Sequence, residues 1–216
     1  MGKKRLEDAL QKVNQPVEVV FRSFELDPTM EKEVNMSIHE KLAQKYGMSI
    51  EQAKMNARNV EQMAQTVGLE FRFDKMILTN TFDAHRLAMF AKEHGKMHEM
   101  TERLLKAYYT EGKHIGDHAT LVELAQEVGF DSEEVTTLLA GDDMSNLVRS
   151  DEKEAAELGI TSIPFFLINR KYAITGAQSE EAFIEAIEQI TTQDGPFTNI
   201  KDGVLCDENG CEIPKK

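Results

Sequence analysis

Cysteine is scarce in this chain: two residues, Cys206 and Cys211, among 216. Two thiols near one end cannot staple a fold of this size, so stability must come from a packed core. Positive charge is also in deficit, with 25 Lys and Arg against 38 Asp and Glu, a net charge of −13 and a pI near 5.0. That balance argues against a protein that tracks nucleic-acid phosphates and fits a solvated acidic surface. No window approaches the ~18 consecutive apolar residues of a membrane span. The opening MGKKRLEDALQKV has neither an apolar core nor a small-residue cleavage site, so no secretory leader is visible. Met1-Gly2 begins a myristoylation pattern, but Leu6 stands where Ser or Thr is required. The expectation is a cytoplasmic protein with no membrane and no nucleic-acid partner. Internal repeats and low-complexity linkers are absent as well.

What is present is enough for a sizeable core. The chain is 41% hydrophobic, and its length suits one large domain or a domain carrying an insertion. Leu6, Ala9, Leu10 and Val13 recur at helical spacing, so the chain opens in an amphipathic helix. Lys3, Lys4 and Arg5 crowd that helix's positive end, an unfavourable place for cations. After Asn14-Gln15-Pro16, residues 17–26 (VEVVFRSFEL) carry apolar side chains on both faces and are expected to form a strand inside a sheet. Residues 29–150 are almost wholly helical in pattern. Thr29 is expected to cap a helix running to Tyr46, Ser49 with Gln52 a second, Asn80-Thr81 a third, and Asp131 with Glu134 a later one.

The stretch 157–178, ELGITSIPFFLINRKYAITGAQ, organises the rest. A helix closes at Gly159, a polar turn leads to Ile163-Pro164, and two short strands, 165–168 and 172–175, flank a turn at Asn169, Arg170 and Lys171. Proline supplies no ladder donor, so Pro164 is tolerated only at the first position of such a strand. Ser179 then caps a helix with Phe183, Ile184, Ile187 and Ile190 inward, and a turn-rich tail follows.

Four sets of residues could carry chemistry. Cys206 and Cys211 flank Asp207-Glu208-Asn209-Gly210, and Asn-Gly is a strong hairpin signal. A hairpin there brings two Cα atoms within the ~4.4–6.8 Å a disulfide needs. A structural disulfide, two idle thiols and a redox pair all remain open, while a zinc site lacks two ligands. His94/His98 and His114/His118 have i, i+4 spacing, which one helix would place on one face; each pair is an incomplete metal site, and surface histidines are the expectation. His85 is expected to pack rather than catalyse. The eleven methionines are expected mainly as core filler, with some able to line an adaptable pocket.

The motifs SFELDP (23–28), NTFDAHRL (80–87), TSIPFF (161–166) and ITGAQS (174–179), in this order, resemble the DsbA-like thioredoxin superfamily. The nearest resemblance is to FrnE-like cytoplasmic oxidoreductases, relatives of kappa-class glutathione transferases and 2-hydroxychromene-2-carboxylate isomerases. It implies an α/β, thioredoxin-like fold with a large all-helical insertion. The thioredoxin-like domain would comprise residues 1–28 and 151–192, the insertion 29–150, and a cysteine-bearing tail 193–216. Ile163 and Pro164, joined by a cis peptide, would meet an extended substrate. Cys206 and Cys211 would be an accessory redox pair.

The family pattern places a strand and a C-x-x-C motif just before the pair matched by Gly2-Lys3. Neither lies in these 216 residues, so the resemblance implies an N-terminally truncated chain lacking its first strand, with the main nucleophile absent and activity impaired. A shortened pseudo-enzyme is the competing explanation. The implied function is thiol–disulfide exchange on protein or small-molecule disulfides, without a bound cofactor and with glutathione as a candidate substrate. A glutathione-dependent isomerase or transferase and a non-enzymatic binding module are the alternatives. Oligomeric state is not legible.

Overall fold

The computed structural model describes residues 1–194 and the backbones of 205–207 and 210–212. Contacts divide the chain into two compact units, one of Met1 with Val19–Thr175 and one of Gly2–Glu18 with Gly176–Lys216. That division follows packing, whereas the 29–150 boundary expected above follows element type.

In the second unit, α1 (Gly2–Leu10) packs against α9 (Glu180–Asp194). Ala9 and Phe183 are fully buried between them, with Ile187 and Ile190 alongside. The basic cluster at the start of α1 has local partners. Lys3 pairs with Glu7 and Lys4 with Asp8 one turn on, and Arg5 donates to the carbonyl oxygens of Ala177 (2.6 Å) and Gln178 (3.2 Å). The penalty of cations near a positive helix end is thus offset, by i, i+4 carboxylates for the two lysines and by carbonyls distant in sequence for Arg5. Beyond α9, β3 (Leu205–Asp207) and β4 (Gly210–Glu212) form an antiparallel ladder.

The first unit is mostly helical. Its elements are α2 (Ile38–Tyr46), α3 (Ile50–Gln65), α4 (Phe82–Glu93), α5 (Met97–Lys106), α6 (His118–Glu127), α7 (Ser132–Ala140) and α8 (Ser145–Glu157). A π turn, Ala107–Glu111, extends α5. The core is built by α4 to α7, where Leu87, Ala91, Met100, Leu121, Leu124 and Val135 are all sealed from solvent. Met89 is buried too, but Met55 and Met63 on α3 are exposed, so the methionines divide between core and surface.

Two expectations need correction. The helix expected from Thr29 begins only at Ile38. Ser37 and Glu40 close a reciprocal capping box there, which satisfies two orphan amide donors at once. Thr29 instead donates to Asp27 within a turn (2.7 Å), and the 30–32 backbone binds Thr79 and Asn80. The second correction concerns residues 17–26, which form no ladder; Val17, Val19, Val20 and Leu26 are exposed, Val20 by 50%. A strand is buried only when neighbours pair both its edges, and among the described residues the two ladders are β1–β2 and β3–β4. Ser23 and Glu25 are buried against α8, with Phe21 and Phe24 half-buried beside them.

Candidate functional site

Helix α8 delivers the chain to the candidate loop. It ends in a Schellman arrangement: Ile160 N bonds Ala155 O (2.8 Å) and Gly159 N bonds Ala156 O (3.0 Å). Gly159 supplies the left-handed φ of 70° that this ending requires. The turn that follows reaches Ile163-Pro164, whose peptide bond is cis. Ile163 is 47% exposed, an unusual position for a branched apolar side chain next to a strand.

From Pro164 the chain enters β1 (Phe165–Ile168), paired antiparallel with β2 (Tyr172–Thr175) so that Phe165 faces Thr175 and Ile168 faces Tyr172. The connecting turn places both Asn169 (φ 51°) and Arg170 (φ 54°) in the left-handed region, closed by Lys171 N to Ile168 O at 3.0 Å. Positive φ at both central residues makes a type I′ turn, whose twist suits a two-residue hairpin connection. Asn tolerates that conformation, Arg does so less readily. Arg170 is held there by an ion pair with Glu154 of α8 at 2.5 Å. Hairpin and helix are therefore tied at two places, by the chain itself and by this pair.

The sequence-derived candidates fall in different settings. Ile163 and Pro164 belong to the first unit, and Cys206 and Cys211 to the second. The two cysteines are register partners across β3–β4; their side chains lie outside the described residues. Neither histidine pair shares one helix. His94 follows α4, where its Nδ1 lies 2.9 Å from Phe90 O and its ring packs on Phe90 and Phe130. His98 lies in α5, against Phe21. Gly95, at φ 69°, breaks the helix between them. His114 sits in the connection before α6 and His118 is the first residue of α6. No group of three or more His, Cys, Asp or Glu side chains among the described residues is arranged to hold a metal.

Two buried polar clusters were not read from the sequence. In one, Asp83 of α4 accepts from Arg86 (2.8 Å) and Lys32 (2.6 Å), and His118 Nε2 lies 2.7 Å away. Arg86, almost wholly buried, also donates to the carbonyls of Leu138, Gly141 and Asp143. In the other, residues 22–25 meet α8. Asp151 accepts from Ser23 N (2.8 Å) and Arg22 (2.9 Å), while Arg149 donates to Glu25 (2.8 Å) and Glu152 (2.5 Å). His85 joins this second cluster through the Phe24 backbone, and burial pushes its imidazole down from the ordinary range despite the nearby Glu152 and Asp151 carboxylates. The textual signal, visible only in hindsight, is a set of charged residues inside the apolar pattern of α4 and α8.

The DSBA-like thioredoxin domain family matches residues 1–188. The chain belongs to that family. Thiol–disulfide oxidoreductase or isomerase chemistry is its general activity. A probable DsbA oxidoreductase from Streptomyces coelicolor, known from a crystal structure, is 38% identical to this DSBA-like chain. The match covers 99% of this chain and 93% of that one, with a TM-score of 0.85. Protein YwbO of Bacillus subtilis (strain 168), itself uncharacterized, is 30% identical over 189 residues, 87% of this chain and 88% of YwbO.

More distant likenesses agree on the fold alone. The cytosolic disulfide reductase DsbM of Pseudomonas aeruginosa, solved with GSH, is 16% identical with a TM-score of 0.59, covering 88% of this chain and 92% of that one. A 2-hydroxychromene-2-carboxylate isomerase is 13% identical with a TM-score of 0.63, covering 89% and 90%. The expected fold class, thioredoxin-like α/β with a helical insertion, stands on these matches. No helix among the described residues is long and apolar enough to cross a membrane.

Proposed function

We propose that this chain is a FrnE-like, cytoplasmic thiol–disulfide oxidoreductase of the DSBA-like family. Its Ile163-Pro164 loop receives an extended segment of a disulfide-bearing protein or a small disulfide such as oxidised glutathione. The observation that carries the reading is the pairing of Cys206 with Cys211 across an antiparallel ladder, in a chain of a redox family. Directly facing residues in such a ladder have Cα atoms about 4.5–5.5 Å apart, inside the range a reversible disulfide requires. The thiolate of one cysteine attacks a substrate disulfide, forms a mixed disulfide and expels the first substrate thiolate. The second cysteine attacks that mixed disulfide and expels the other. The substrate gains two electrons, the cysteine pair loses two, and an external dithiol restores the pair.

The division of the chain into 1–28 with 151–192, 29–150 and 193–216 belongs to the same proposal, as does action without a bound cofactor, a membrane or a nucleic acid. A C-x-x-C motif does not occur in these 216 residues, so DsbA-like turnover by them is expected to be weak and to depend on Cys206 and Cys211. Insulin reduction driven by dithiothreitol tests this. Slow turnover lost in both Cys206→Ser and Cys211→Ser supports the accessory pair. Full DsbA-like turnover in the double variant overturns it.

A further inference from the structure

Residues 22–25 and α8 enclose more negative charge than they neutralise. The side chains of Glu25 and Asp151 are 1% and 5% exposed, and that of Glu152 is 20% exposed. Facing these three carboxyl groups are two guanidinium groups, of Arg22 and Arg149. Arg22 is engaged by Asp151, which also accepts from Ser23 N. That leaves Glu25 and Glu152 both bound through Oε2 to a single atom, Arg149 Nη1.

Each of these two carboxyls keeps an Oε1 that is buried and meets no hydrogen-bond partner in the protein, and Ser23 Oγ is in the same state. A buried carboxylate oxygen without a partner is costly, and two carboxylates on one cation leave one charge uncompensated. From α4 the facing groups are the Phe82 ring, which stacks under Arg149 at 4.0 Å, and His85. Burial keeps His85 neutral near pH 7, so it supplies no balancing charge. Asp27, two residues beyond Glu25, is engaged by Thr29 and Lys41 instead.

We propose that Glu25 and Glu152 share a single proton across Arg149, making the junction of residues 22–25 with α8 a proton-binding clamp. With the proton in place, the pair carries a single charge that Arg149 neutralises. Releasing it to water leaves two carboxylates on one guanidinium, and the junction loosens. The direction of the Glu25 titration agrees. Burial pushes its carboxyl up, Arg149 pulls against that, and the neighbouring Glu152 adds to the rise. Because its native value is raised, the clamp's contribution is full below the ordinary 4.5 and fades as pH rises through the native value. Helix α8 runs on into the Ile163-Pro164 loop and holds Arg170 through Glu154, so a loosened clamp frees that loop. This last consequence rests on the loop's proposed docking role; the proton site does not.

Carboxyl carbon NMR of the full chain, with Glu25 and Glu152 assigned, tests the site without any thiol chemistry. The expected result is a shared titration step above pH 4.5, followed by faster amide exchange in residues 160–168 once intrinsic rates are corrected. In Glu152→Gln the remaining carboxylate faces Arg149 alone, so the shared step should disappear and Glu25 should titrate lower than in the wild type. Glu25→Gln gives the mirror test should the first variant fail to fold. Both carboxyls titrating at or below ordinary values in the wild type would overturn the proposal. So would a step that follows sodium or potassium concentration at fixed pH, which would give the surplus charge to a metal cation. Failure of insulin reduction would bear on the oxidoreductase reading and leave this one standing.

Discussion

Asp83 illustrates what one residue can reveal once its surroundings are known. Burial by itself would push its carboxyl up, but hydrogen bonds from Lys32, His118 and Arg86 outweigh burial and hold it at about 2, against an ordinary 3.8. A depressed native value means stability that is full above the ordinary value and lost as pH falls through the native one. Asp83 should therefore contribute about 2 kcal/mol at neutral pH, disappearing between roughly pH 4 and 2. Urea unfolding across that window should show the loss. Asp83→Asn leaves Arg86 buried with only carbonyl acceptors and should cost about 3 kcal/mol or more at pH 7. The gap between variant and wild type should narrow as acid protonates the native carboxyl; a gap that stays constant from pH 5 to 2 would refute the assignment. The i, i+4 spacing marks His118 as half of a surface pair, and nothing along the chain places positions 32, 83 and 118 together.

At the scale of elements, the caps at Ser49 and Asp131 and the strands 165–168 and 172–175 were legible, whereas the start of α2 and the state of residues 17–26 were not. Ser49 and Asp131 sit at helix starts as acceptors of local amide bonds, as expected, and the turn at Asn169 forms where the text places it. These are short-range effects in which partners lie within a few residues. Residues 17–26 mislead because strand formation depends on a neighbouring edge, which periodicity cannot supply.

Two glycines separate local from tertiary demands. At Gly159 a Cβ would meet nothing within 4 Å, so Gly159→Ala should cost only the left-handed backbone strain, about 1–2 kcal/mol. At Gly116 a Cβ would lie 2.0 Å from Thr79 Oγ1 and 3.0 Å from Asn80 O, against the same residues that bind the 30–32 backbone. Gly116→Ala should therefore cost more, about 3 kcal/mol, through forced displacement of packed atoms. Chemical denaturation of both variants decides this; equal losses would mean that the Thr79 contact yields. Ser37→Ala should cost about 1 kcal/mol, read most directly as faster amide exchange at residues 38–41.

For the whole molecule, charge and composition set broad limits. A net charge of −13 disfavours counterion-releasing contact with a polyanion, so the chain is expected to leave DNA mobility unchanged even at about 50 mM salt; a salt-sensitive retardation would contradict this. The motifs at 23–28, 80–87, 161–166 and 174–179 resemble the DSBA-like family, to which the match over residues 1–188 assigns the chain. By itself the sequence also indicated the helical block, the caps at Ser49 and Asp131, and the hairpin after Pro164, all governed by contacts close along the chain. Only the tertiary structure decided that residues 17–26 stand without a ladder. It alone brought Asp83 to Lys32 and His118, and set Glu25 and Glu152 on one arginine. Burial and long-range charge depend on which distant side chains share a space, and spacing along a chain does not encode that distance.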